Sequence, residues 1–102
     1  MRVRHWNTSV DGVVSETAMR RKLESAGYLV ARYVYAPGTT FAEHAHGLDK
    51  ADAVLSGRFR MVVAGHFVIL GPGDWVEVPR GVHHTAAVVG DEPVVSLDAT
   101  KM

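Results

Sequence analysis

The sequence predicts an all-β fold, an antiparallel sandwich or barrel of short strands, with one short helix near the N-terminus. Three observations lead there. β-Branched and aromatic runs recur from Tyr28 onward. Gly and Pro turns interrupt them about every eight to twelve residues. One stretch alone, residues 15–27, carries a helical stripe.

Taken in order, residues 1–14 mix Arg2, Arg4, His5, Trp6 and Asn7 without period and read as an arm with one short strand. In SETAMRRKLESAG, Ser15 is suited to the N-cap and Glu16 falls in the first turn. Met19, Leu23 and Ala26 share a stripe, and Gly27 ends the helix. The stripe is narrow and the opposite face charged, so this helix belongs on the outside of the β structure. Residues 28–36 form a strand with Leu29, Ala31, Tyr33 and Tyr35 on one face and Tyr28, Val30, Arg32 and Val34 on the other. Pro37-Gly38 turns the chain into a His-bearing segment. Residues 51–56 make a short strand ended by Gly57, and RFRMVV sets Phe59, Met61 and Val63 opposite Arg58 and Arg60. Ala64-Gly65 marks a turn before residues 66–70, and Gly71-Pro72-Gly73-Asp74 another before residues 75–78, which Pro79 stops. Residues 85–89 and 94–99, joined through GDEP, read as a final hairpin.

With 102 residues the chain is one domain around a single core. Eleven basic residues balance eleven acidic ones, so no overall field draws the protein to nucleic acid or an anionic membrane, and neither is expected as a partner. Near-zero charge also removes the repulsion that keeps copies apart, which favours a homodimer. Cysteine is absent, excluding a disulfide framework, a thiolate metal site and a cysteine nucleophile. No apolar run approaches the roughly 20 residues that span a bilayer, and the N-terminus lacks the apolar centre of a secretory signal, so a cytoplasmic protein is expected.

The chemistry lies in the histidines. In an extended segment, residues two apart project to one side, so His44 and His46 point into one space. A second source lies in GDWVEVPRGVHH, where His83 and His84 follow Pro79 and Gly81. Three imidazoles from two distant strands would make a metal site inside a β barrel.

The spacing of Gly38, His44, His46 and Gly57, and then of Gly73, Pro79, Gly81 and His84, resembles the two motifs of a small single-domain cupin, over residues 28–99. The resemblance implies a double-stranded β-helix, a jelly-roll barrel of residues 28–102 on which the arm and helix of residues 1–27 pack. It also implies a divalent metal held by three histidines, usually with one Glu or Gln. By this pattern the ligands are His44, His46 and His84. The spacing selects His84 over His83, and neighbours on a strand face opposite ways. Two positions depart from the pattern: Val88 stands where Asn is usual, and Lys50 where Glu or Gln is.

An ammonium has no lone pair and repels a divalent cation, so Lys50 cannot ligate. Three readings follow. The site is a three-histidine one with Lys50 turned aside or paired to Asp49 or Asp52; or Lys50 faces the cavity as a substrate-binding cation for an anionic ligand; or the metal site is vestigial. Asp52 alone among the nearby carboxylates shares strand parity with Lys50. Imidazole donors suit Zn, Fe, Mn, Ni or Cu without choosing among them. Two functions compete: a metal-dependent cupin acting on a small oxygen-rich organic acid or sugar derivative, and a binding or sensing module that holds a small ligand without turnover. Glu77 is a candidate general base if it faces the cavity, and otherwise an outer-face residue; Glu43 is exterior. Trp75, Phe59, Phe67 and the tyrosines read as core or subunit-contact residues, with the alternative that some wall a pocket. No nucleophile elbow is present, so Ser-His-Asp hydrolysis is not expected.

Overall fold

A computed structural model describes residues 2–101. In chain order these form β1 (Arg2–Arg4), α1 (Thr8–Asp11), α2 (Glu16–Ser25), β2 (Tyr28–Tyr35), β3 (Thr40–His44), β4 (Asp49–Ser56), β5 (Arg58–Val63), β6 (His66–Leu70), β7 (Trp75–Val78), β8 (His84–Val89) and β9 (Val94–Lys101). The strands make two antiparallel sheets, one ordered β1-β7-β4-β9-β2 and the other β3-β8-β5-β6. This is the all-β jelly roll that the motifs imply.

The core lies where the sheets face each other. Val54, Val76, Val78 and Val94 of the larger sheet meet Phe59, Met61, Val63, Ala86 and Val88 of the smaller. The larger sheet is covered on its other face as well. There α2 sets Met19 and Leu23, both fully buried, on Tyr28, Ala51, Ala53, Trp75, Leu97 and Ala99. Double coverage explains why residues 51–55 show little alternation: both faces of that strand are inside. The helix starts where the sequence places it, with the Ser15 hydroxyl accepting the Ala18 N–H at 3.1 Å. Its charged side is tied down too, by Arg32 of β2 reaching Glu16 at 3.0 Å.

Two features of the chain differ from the sequence reading. The arm holds the expected short strand, β1, which pairs with β7 through Val3 and Val76. It also holds α1, a single turn capped by the Asn7 side chain, which accepts the Ser9 N–H at 3.0 Å; four residues are too few to show a period. The second difference is a correction. Residues 85–89 and 94–99 do not form a hairpin: β8 lies between β3 and β5 in one sheet, and β9 between β4 and β2 in the other. GDEP therefore carries the chain across the sandwich. A turn signal reports that the chain changes direction, not which strand it then pairs with. The true hairpin is β5–β6, where Ala64 and Gly65, at φ 49 and 81, join the paired Val63 and His66. Two successive positive φ values match the twist of such a tight connection.

Candidate metal centre

A bulge in β3 builds the site. Phe41 pairs with Ala86 and His44 with His84, so three steps along β3 answer two along β8. Side chains alternate along a strand; without the extra residue Glu43 would stand opposite His84 and His44 would face out. With it, both Phe41 and His44 line the cavity, and Glu43 is exposed. His46 follows in the next loop, held by its carbonyl, which accepts the Gly81 N–H at 2.8 Å. Gly81 occupies a turn closed by Val82 N–H to the Pro79 carbonyl at 3.2 Å, and its φ of 78 suits glycine alone at low cost. Arg80 N–H donates to Asp49 Oδ1 at 2.9 Å. The two histidine-bearing segments are thus laced together by hydrogen bonds before any ligand is involved.

The imidazoles of His44, His46 and His84 converge. Ring centroids are 4.2 Å apart for His44 and His84, 4.8 Å for His44 and His46, and 5.1 Å for His46 and His84. One potential donor atom from each lies within 4.8 Å of the others, and no carboxylate joins the group among the described residues. His44 Nδ1 is 2.7 Å from the Ala42 carbonyl and His84 Nδ1 3.0 Å from that of Val82. A carbonyl only accepts, so Nδ1 is the donor in each ring, and in the neutral imidazole the lone pair is then on Nε2. Burial first, then Lys50 and the neighbouring histidines, hold the His46 pKa below its usual value. Burial likewise lowers that of His84, against the Val82 hydrogen bond, which raises it. Neutral imidazoles with their tautomer set by backbone carbonyls suit a divalent transition metal. His83, in the loop just before β8, is exposed and outside the cluster, and His5 is engaged elsewhere, 2.7 Å from Asp74.

The cavity beside the histidines measures about 230 Å³. Tyr35, Phe41, Phe59 and Met61 give it an apolar wall, and Lys50, Asp52 and Asp98 a charged one. Lys50 does face the cavity, but its ammonium is already paired. It donates to Thr100 Oγ1 at 2.9 Å and forms an ion pair with Asp98, not with Asp49 or Asp52. Asp52 is pushed up to about 7, by burial foremost and then by the charge of Asp98, against the opposing pull of Lys50 and His44. Tyr35 is pushed up to about 12 by burial and by the same two carboxylates. Glu77 lies outside the cavity, paired with Arg4 at 3.3 Å. Phe59 and Trp75 are buried as expected, whereas Phe67 is exposed. Tyr35 and Phe59 are among the aromatics that wall the cavity, whereas Asp98 was not foreseen in the site. The available signal was the polar row Ser96, Asp98, Thr100 at alternate positions of an otherwise apolar strand.

Fold and histidine cluster together define a cupin-type barrel, and residues 31–100 match the cupin domain family, to which this chain belongs. Among solved structures it is similar to the TT1209 protein of Thermus thermophilus, at 28% identity over 72% of this chain and 71% of that one, with a TM-score of 0.66. It is also similar to KdgF from a Halomonas species, at 21% identity over 74% and 70%, TM-score 0.65. A conserved protein of unknown function from Streptococcus pyogenes shares 18% identity over 71% of this chain, TM-score 0.65; here the chain spans 61% of the relative's length. No curated protein matches the chain in sequence.

Proposed function

We propose that this cupin holds one divalent transition metal on His44, His46 and His84 and takes a small oxygen-rich organic ligand in the adjoining cavity. The observation that carries the reading is the pair of Nδ1 to carbonyl contacts at His44 and His84, which leaves Nε2 as the one lone-pair nitrogen of each ring. Structural core histidines need no such common orientation around a point. A metal on three nitrogens supplies a Lewis acid with positions open to a ligand oxygen. The remaining roles belong to the chain itself. Phe41, Phe59 and Tyr35 exclude water from one side of the cavity. Lys50 gives one N–H to Thr100 and has its charge balanced by Asp98, which leaves it a further N–H to offer to a ligand oxygen.

Elemental analysis of untagged protein tests this. About one metal per chain is expected, falling to background in His84→Ala with the far-UV circular dichroism retained. Background metal in the wild-type protein grown in supplemented medium overturns the reading.

A further inference from the structure

The wall facing the histidines carries chemistry that metal binding leaves unused. Asp52 of β4 and Asp98 of β9 are directly paired across the ladder, so their side chains leave the sheet on the same face. That face is the cavity, which both line. Lys50, two residues along β4, sets its ammonium against Asp98. The groups that bear on Asp52 are therefore Lys50 on its own strand, Asp98 on β9, His44 on β3 and the Tyr35 phenol on β2. Two carboxylates thus confront a single ammonium, and like charges directly opposite each other in a confined space are costly unless one carries a proton. Asp98 Oδ1 is buried and faces the Lys50 ammonium as an ion pair, and the carboxylate keeps further lone pairs for a ligand donor.

From this arrangement we infer that Asp52 and Asp98, with Lys50 as counter-charge, form a hydroxyl-reading subsite that selects a neutral polyol over the corresponding carboxylate. This deepens the function proposed above and rests on it for the small oxygen-rich ligand. With Asp52 protonated the wall is neutral, and with Asp52 ionised it carries one net negative charge; in neither state does it offer an uncompensated cation to an anion. A hydroxyl, by contrast, is donor and acceptor at once. It donates to Asp98 and accepts from Asp52 O–H or from a Lys50 N–H. The raised pKa of Asp52 agrees with a proton kept on this wall. At about 230 Å³ the cavity is smaller than drug-sized sites and of a size for a sugar or less.

Xylitol and xylonate, alike in chain length and differing at one end in charge, serve as probes. Untagged full-length protein loaded with Co(II) is titrated with each, following the visible absorption of the metal and the Tm, and metal-free protein is titrated in parallel by Tm alone. On metal-free protein, where the wall alone sets the charge, xylitol is expected to bind at least about tenfold more tightly than xylonate, and bound Co(II), which attracts the carboxylate, should narrow that difference. Asp52→Leu should abolish that preference, and Asp52→Asn, which keeps a neutral donor and acceptor, should retain it. Asp98→Asn frees the Lys50 charge and should shift the preference towards xylonate, which carries the test if Asp52→Leu does not fold. On metal-free protein, equal or tighter binding of xylonate by the wild type, no binding of xylitol, or an undiminished preference in folded Asp52→Leu each overturns the inference. The two readings fail separately. If Co(II) does not load but xylitol still outranks xylonate on metal-free protein, the metal site falls and the subsite stands. If Co(II) loads at about one per chain and xylonate wins on the metal-free protein, the reverse holds.

Discussion

Asp52 is the carboxylate whose protonation the fold changes most, from an ordinary 3.8 to about 7. Its effect on stability has the opposite sign to the usual surface carboxylate. Between those values the folded chain keeps a proton that the unfolded chain releases, so this group's contribution is full below about pH 4 and is lost as pH rises to about 7. Asp52→Asn removes the dependence. In metal-free protein the variant should gain on the wild type between pH 4.5 and 7.5, by roughly 2 kcal/mol or more. Urea unfolding at the two pH values measures it, and a difference that does not change with pH refutes a raised Asp52. A divalent ion on the facing histidines would favour the ionised carboxylate and shrink the effect. At this scale the sequence was partly legible. His44, His46 and His84 could be named from spacing because residue identity and interval are local facts. Asp98 could not, since its place beside Lys50 depends on which strands become neighbours.

At the scale of elements, the strand ends are held by close contacts more than by turn composition alone. Gly57, between β4 and β5, has φ 80, and an added Cβ would fall on the Pro93 carbonyl oxygen in the link from β8 to β9. Both the left-handed backbone and the backbone contact oppose a side chain. Gly57→Ala should therefore cost about 2 kcal/mol or more in urea unfolding. A loss within about 0.5 kcal/mol, the range of an ordinary surface change, would show that the crossing is not packed this tightly. The strands and α2 were legible from periodicity and capping. The β3 bulge was not, because one extra residue leaves no mark in composition. Simple alternation would have set Phe41 and His44 on opposite faces, and it is the bulge that brings both into the cavity.

For the whole molecule, β2 ends the larger sheet with one side of its ladder unpaired by any strand among the described residues. Leu29, Tyr33 and Val34 on it are 62%, 48% and 53% exposed. Together with zero formal charge, this supports a homodimer, which we propose forms along that edge. Sedimentation velocity should give twice the chain mass, and Val34→Lys should return it to the monomer; a wild-type monomer at high micromolar concentration would refute the proposal. No helix among the described residues is long and apolar enough to cross a membrane.

The order of residues by itself determined that the chain is mostly β, where α2 begins, and which three histidines belong to one family pattern, because each of these rests on short intervals, caps and turns. Tertiary structure alone decided that β8 and β9 part into different sheets, that Lys50 is claimed by Asp98, and that two carboxylates share the wall opposite the imidazoles. Those outcomes depend on pairing between β4 and β9, strands that lie far apart in the chain, and on a single-residue bulge; neither is written in any local stretch of the sequence.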